Sequence, residues 1–370
     1  MKLFSCSNCQ NLLYFENNVC LNCGHTVGFD GEAMAMKTIK ANEDGISFTD
    51  ITDKDKQYHF CENSQQGTCN WILPASNTDA YCEACNLNRT IPDLSAPVNW
   101  ERWKKIEIAK HRLVYSLNKL GLPVKRKMGD EEDGIVFDFM GDDPVAHVMT
   151  GHDNGIITLN IDEADEVART RHKAELGERY RTLLGHFRHE IGHYYWDVLL
   201  KNNPTELENC RKLFGDDTQD YGQALDNYYA NGAPANWADA FVSPYATAHP
   251  WEDWAETWAH YLHLMDTVET ANNFGISINP KKAATEELKA TISKDPYTLQ
   301  NFEEIIKMWL PLTFAVNSLN RSMGHADFYP FYISQPLIEK LSFIHRLCWQ
   351  LRSGNSTQPE KKSFLAGVFK

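Results

Sequence analysis

From Trp103 to Leu120 apolar residues recur at helical spacing, at Ile106, Ala109, Leu113, Leu117 and Leu120, and Gly121 and Pro123 predict a stop. Two alternating runs follow. Ile135, Phe137 and Phe139 form one; Ile157, Leu159 and Ile161, with Thr158 and Asn160 between, form the other. Both have the two-residue period of strands. A long, largely apolar helix is predicted from roughly Ala174 to Lys201, closed by Asn202, Asn203 and Pro204, and another from Trp251 to about Asn272. Near the C-terminus Ser334 and Pro336 suit a helix start, with Leu337, Leu341, Ile344 and Leu351 on one apolar face. The polar stretch 356–370 reads as a flexible tail. The segment Asn88 to Pro97, with two prolines and no period, reads as a linker, after which the composition changes. No repeat appears at solenoid periods.

Composition narrows the class. The chain has 370 residues, 42% hydrophobic, 23% charged and 12% aromatic, which suits a folded protein of more than one domain. No run approaches the roughly 18 apolar residues that would span a bilayer. The start, M-K-L-F-S-C-S-N-C, has no apolar core and no small-residue cleavage site, so no signal peptide is read and a cytoplasmic location is expected. The net charge is −14, and the first hundred residues carry six basic against twelve acidic side chains, which disfavours nucleic acid as a partner.

Eight of the ten cysteines lie between Cys6 and Cys85. In a reducing compartment, clustered cysteines read as metal ligands rather than disulfides. Cys6-x-x-Cys9 and Cys20-x-x-Cys23 are two tight pairs, each turn aiming two thiolates at one point, and together they complete the tetrahedron of a structural zinc site. Gly24 follows the second pair and can take the positive φ such a turn needs. Cys61, Cys69, Cys82 and Cys85 make a second candidate four-cysteine site with only one tight pair, and His59 is a substitute ligand there. Cys210 and Cys348 stand alone and read as buried packing residues.

His189-Glu190-Ile191-Gly192-His193 lies within the long apolar helix. Residues four apart share a helix face, so both imidazoles can reach one metal, with Glu190 beside the first of them. The bland alternative is a pair of hydrogen-bonded core histidines. A catalytic zinc with two histidines needs a third ligand and an open position. Downstream, Glu252 and Glu256 lie four apart among Trp251, Trp254 and Trp258; one can bind the metal while the other orients a ligand. The alternative there is a solvated acidic face, but the tryptophans argue for burial, and buried carboxylates need a metal or a charged partner. His249 and His260 are lesser candidates, read as second-layer or surface residues.

The run S-P-Y-A-T-A-H-P-W-E-D-W-A-E-T-W is similar to the third-ligand helix of gluzincins of the anthrax lethal factor type. That resemblance implies Glu252 as third ligand, Glu256 as its support and Tyr245 as a donor to the oxyanion or leaving group. The chain as a whole resembles bacterial zinc-binding metallopeptidases with an N-terminal zinc ribbon. The resemblance rests on C-N-W at Cys69, L-N-R-T-I-P-D-L-S, I-T-L-N-I, G-H-F-R-H-E-I-G-H-Y-Y-W-D and H-P-W-E-D-W-A-E-T-W-A-H-Y-L-H. The expected architecture is therefore α+β: a small β-rich zinc-ribbon module at 1–95, then a mainly helical, zincin-like metallopeptidase domain with a small sheet at 96–355.

The expected activity is hydrolysis of peptide bonds by zinc-activated water, with Glu190 as general base, one catalytic zinc and one or two structural zinc ions. A peptide or protein is the expected substrate, and the ribbons are a candidate surface for a protein partner. The strand I-T-L-N-I could pair with an extended substrate, or be a core strand of the same pattern. Two other classes fit parts of the sequence. One is a SprT-like protease acting on DNA–protein crosslinks, which would use a third histidine. The other is an inert zinc-dependent adaptor, which would have no need of Glu190.

Overall fold

The computed structural model of the chain describes residues 3–129, 133–142, 148–175, 181–282 and 286–354, with backbone alone at 172–175. The expected tail, 356–370, lies outside the described residues. Two compact units result: Met1–Asn118 with Pro123–Tyr194, and Lys119–Leu122 with Tyr195–Lys370. The architecture is α+β, with a β-rich N-terminal region.

In the first unit, β1 (Phe4–Ser5) and β2 (Leu12–Leu13) form a small antiparallel pair. Five strands then meander into a closed barrel: β3 (Thr26–Asp30), β4 (Ala35–Ala41), β5 (Phe48–Asp50), β6 (Gln57–Phe60) and β7 (Trp71–Pro74). An odd number of meandering strands brings the last one back parallel to the first, as β7 lies against β3. Gly28 makes that closure feasible, because a Cβ there would sit 2.4 Å from Ile72 Cγ2. Ile39, Tyr58 and Ile72 fill the barrel with Phe48 and Phe60.

The chain continues through α1 (Glu83–Asn86), β8 (Asn88–Thr90) and α2 (Pro97–Leu120). The ring of Phe29 lies 4.8 Å from Phe15 and 4.9 Å from Trp71, and Phe15 lies 5.3 Å from Tyr115 on α2, so the N-terminal strands and α2 share one aromatic core. After α2 come β9 (Val136–Met140), β10 (Gly151–Asp153), β11 (Ile156–Asn160), α3 (Glu166–Glu175) and α4 (Leu183–Trp196).

The small sheet has the order β10-β11-β9-β8. β9 is parallel to both neighbours and buried on both faces, since Val136 and Asp138 are as enclosed as Phe137 and Phe139. Phe187 of α4 packs 5.4 Å from the Phe137 ring. β10 and β11 are joined by Asn154 (φ 45°) and Gly155 (φ 80°), the left-handed pair of a tight hairpin turn. β11, the I-T-L-N-I strand, is paired on both sides. It is the core strand of the two readings, and β10 occupies the edge.

Of the long helix expected from Ala174 to Lys201, Ala174 and Glu175 end α3, residues 176–180 lie outside the described residues, and α4 begins at Leu183. Thr182 starts α4: its hydroxyl accepts from the Gly185 amide at 2.9 Å and its carbonyl from the His186 amide at 3.0 Å, a side-chain cap that the apolar period does not reveal. α4 ends in a π turn, Asp197–Lys201. The Asn202–Pro204 stop also opens the next helix, because Asn203 Oδ1 accepts from the Glu206 amide.

The second unit is helical: α5 (Pro204–Phe214), α6 (Tyr221–Asn231), α7 (Pro250–Asn273), α8 (Phe302–Ser322) and α9 (Gln335–Ser353), with the short pair β12 (Ser277–Ile278) and β13 (Ala290–Thr291). α7 is central, packed by α5, α8 and α9. Trp258 stacks on Tyr195 at 5.0 Å and Trp254 meets Trp196 at 5.4 Å. Ser334 caps α9 as expected, and Leu337, Leu341 and Ile344 are fully buried, but Leu351 at the last turn is 44% exposed. Cys210 and Cys348 are buried, as read. Among the described residues no helix is long and apolar enough to cross a membrane.

Burial of α7 on all sides creates an electrostatic problem at Asp253, which is wholly enclosed. Burial pushes its carboxyl up to about 7, and the Lys340 ammonium, 2.6 Å from Oδ2, opposes that push. Lys340 also donates to the Ala240 carbonyl at 2.8 Å and sits 4.2 Å from the Phe241 ring centre. Lys340→Met keeps the volume but leaves a buried carboxylate without its cation, and is expected to lower stability by about 3–5 kcal/mol in urea unfolding. A loss below about 1 kcal/mol would show that Asp253 is neutral in the wild type.

Candidate metal centres

Two knuckles build the first cysteine cluster. The amide of Gln10 donates to the Cys6 carbonyl and that of Gly24 to the Cys20 carbonyl, both at 2.8 Å. Gln10 (φ 61°) and Gly24 (φ 73°) both take the left-handed conformation after the second cysteine of their pair. Cys6 Sγ lies 3.6 Å from Cys23 Sγ, and Cys9 Sγ 3.6 Å from Cys20 Sγ. Four sulfurs bound to one zinc at about 2.3 Å stand about 3.8 Å apart along the tetrahedron's edges, so the cluster has the dimensions of a zinc site.

The second cluster gathers Cys61, Cys69, Cys82 and Cys85, with ligand atoms within 4.8 Å of one another. Cys69 and Cys82 are 3.7 Å apart. Cys82 caps α1, accepting from the Cys85 amide, and Cys69 accepts from the Trp71 amide. Burial, reinforced by the neighbouring cysteines, pushes the thiols of Cys69 and Cys82 far up. Four thiolates so enclosed require a cation. His59, the substitute ligand considered from sequence, turns elsewhere: its Nε2 is 2.8 Å from the Asn77 carbonyl. A histidine that the spacing did not suggest, His111 on α2, reaches Cys69 instead, with Nε2 3.3 Å from Sγ.

On α4, His189 and His193 project from one face and their Nε2 atoms are 3.2 Å apart. Two imidazole nitrogens sharing one zinc at 2.0–2.1 Å stand about 3.3 Å apart. Glu190 beside them is half-buried, and the ring of His152 on β10 stacks 6.1 Å from that of His193. Burial holds His152 down at about 4, and its Nε2 accepts from the Gly155 amide, so it is neutral.

α7 presents the acidic pair. Glu252 is 1% exposed, which replaces the solvated-face alternative, and its Oε1 accepts from the Tyr221 hydroxyl at 2.6 Å. Tyr221 opens α6 and carried no recognisable signal in the sequence. Glu256 is half-buried and accepts from Ser243 Oγ at 2.6 Å. Tyr245 stands in a short 3-10 turn, Tyr245–Thr247. Burial, followed by the Glu252 charge, pushes its phenol above the ordinary range, so it stays protonated at neutral pH. His249 caps α7, its Nδ1 accepting from the Trp251 amide at 3.1 Å, and His260 Nδ1 lies 2.6 Å from the Tyr329 hydroxyl. Both are buried rather than on the surface.

These donor sets fit Zn2+: two sets of four cysteines, and the imidazole pair His189 and His193. Thiolate, imidazole and carboxylate are the ligands that borderline-soft zinc accepts, and the four-cysteine sets match closed structural sites. The comparisons with known proteins agree. Residues 99–347 match the family described as "Putative zinc-binding metallo-peptidase", and residues 3–96 match a zinc-ribbon domain. Uncharacterized proteins Rv2568c of Mycobacterium tuberculosis (strain ATCC 25618 / H37Rv) and Mb2598c of Mycobacterium bovis are each 40% identical over 347 residues. The match covers 93% of this chain and 94% of theirs. No solved structure matches the chain. With the family model spanning most of the chain and relatives aligned along nearly all of it, the chain belongs to this zinc-binding metallo-peptidase family and carries a zinc-ribbon domain ahead of the peptidase segment.

Proposed function

We propose that the chain is a peptidase of the gluzincin type, with a zincin-like catalytic domain at 96–355 behind a ribbon module at 1–95. In this reading His189, His193 and Glu252 hold the catalytic zinc, and the two four-cysteine clusters hold structural zinc. The observation that carries it is the 3.2 Å approach of the His189 and His193 Nε2 atoms, the spacing of two ligands on one ion.

When bound, zinc supplies a Lewis acid for a water nucleophile and for the scissile carbonyl. Glu190 takes the proton of the attacking water and passes it to the leaving amine. Tyr245 donates to the developing oxyanion, for which its protonated phenol suits it. Glu256, held by Ser243, supports the ligand helix. An extended peptide pairs with β10, the edge strand whose His152 stacks beside His193. The engagements of His249 and His260 support a glutamate rather than a histidine as third ligand. The reading places the protein in the cytoplasm, where its thiols stay reduced.

Turnover of casein or a peptide library, abolished by chelator and restored by zinc, tests the reading. A zinc-replete protein that cleaves nothing in such a library would favour the adaptor. For the ligand shell, Tyr221→Phe removes one hydrogen bond to the Glu252 carboxylate and should weaken catalytic zinc binding by about 10–100-fold in dye competition. Glu252→Ala should weaken it more than Glu256→Ala; the reverse order would reassign the third ligand.

A further inference from the structure

Helix α2 lies outside the cysteine-bearing segment 61–85, yet it closes one side of the second cluster. His111 Nε2 stands 3.3 Å from Cys69 Sγ, 3.6 Å from Cys85 Sγ and 3.9 Å from Cys82 Sγ. A zinc with three sulfurs at about 2.3 Å and one nitrogen at about 2.0–2.1 Å has nitrogen-to-sulfur edges of about 3.6 Å. The observed distances scatter around that value. The Cys69–Cys82 separation of 3.7 Å is a sulfur edge common to both arrangements.

We propose that the triangle of Cys69, Cys82 and Cys85 has two alternative apices, Cys61 and His111, so that the second zinc can be held by three cysteines and His111. The tautomer supports it. His111 Nδ1 is 2.7 Å from the Glu107 carbonyl oxygen, which can only accept. The neutral ring therefore carries its proton on Nδ1 and turns the Nε2 lone pair to the sulfurs, the arrangement usual for a metal-binding histidine. Glu107 is also close, with Oε2 3.8 Å from Cys85 Sγ, and there it accepts from the thiol. Its Oε1 already accepts from Lys110 at 2.9 Å, Asn88 at 2.8 Å and Trp103 at 3.1 Å. Charge favours the histidine as well. Four thiolates around zinc bury a net −2 beside the Glu107 carboxylate, whereas three thiolates and a neutral imidazole bury −1. At the first cluster the corresponding neighbour of Cys6 is the Thr38 hydroxyl, 3.6 Å away, which donates to the sulfur and offers no such ligand.

The consequence is mechanical. An ion bound through His111 fastens residues 61–85 to α2, the helix at the start of the peptidase-family segment. Zinc analysis of full-length Cys61→Ser is the direct test. It is expected to hold as many zinc ions per chain as the wild type, while Cys61→Ser/His111→Leu holds one fewer and Cys61→Ser/His111→Cys recovers it. Cadmium-loaded Cys61→Ser should show a cadmium resonance coupled to an imidazole nitrogen that His189→Gln leaves in place. Loss of one zinc from Cys61→Ser alone, or no such coupled resonance, would overturn the proposal. If Cys61→Ser does not fold, chelator release from His111→Leu decides: acceleration of one ion by about 10–100-fold is expected, and an unchanged rate overturns it.

Discussion

Glu190→Gln is expected to lower peptide turnover by about 10²–10⁴-fold while the zinc content of the protein stays unchanged. The amide is nearly isosteric, and glutamine is as good a helix former as glutamate, so α4 and its two imidazoles should keep their places. What disappears is the carboxylate that the proposed mechanism uses to accept the water's proton. Initial rates on a peptide pool, with metal analysis of the same samples, separate the two outcomes. A variant as active as the wild type would remove Glu190 as the base. A variant that lost zinc as well would make Glu190 part of the ligand set rather than the proton carrier.

The second large effect belongs to the first cysteine cluster. Cys20→Ser should remove one zinc per chain and unfold the segment from Leu3 to His25. The only strands there are β1 and β2, two residues each, and the Cys6 and Cys20 turns are the main organisers of its backbone. Structural zinc sites of this kind contribute about 10–16 kcal/mol of apparent binding energy, which is energy of folding for a segment that has little else. Metal analysis, and limited proteolysis with cleavage mapped by mass spectrometry, check it. Protection of residues 3–25 after the zinc is lost would show that packing of Phe4, Leu13 and Phe15 suffices without the ion.

Both expectations rest on groupings that short spacing makes visible. The paired cysteines, the two histidines four apart and the two glutamates four apart each lie on one turn or one helix face. Local backbone geometry alone then brings their side chains together, as the His189–His193 distance illustrates. The same holds for α7 and α9, whose caps at His249 and Ser334 precede strong apolar periods. The five-stranded barrel was far less legible. Its strands are short, its alternation is broken by Gly28 and Pro74, and its closure depends on β3 meeting β7 across some forty intervening residues. At β9 the two-residue period marks a strand but no exposed face, because it pairs in parallel on both sides and both of its faces are buried.

From its residues alone, then, the chain shows which side chains are able to hold a metal. Their type, the tight pairs among them and the course of the main helices follow from short spacings, because a turn or a helix converts such spacings directly into distances. What surrounds those groups was settled only by folding. Tyr221 reaches Glu252 from 31 positions away, Lys340 reaches Asp253 from 87, and His111 reaches Cys69 from 42. No local period encodes such meetings; they arise because a buried charge or thiolate must find a partner among whatever elements the hydrophobic core has packed beside it.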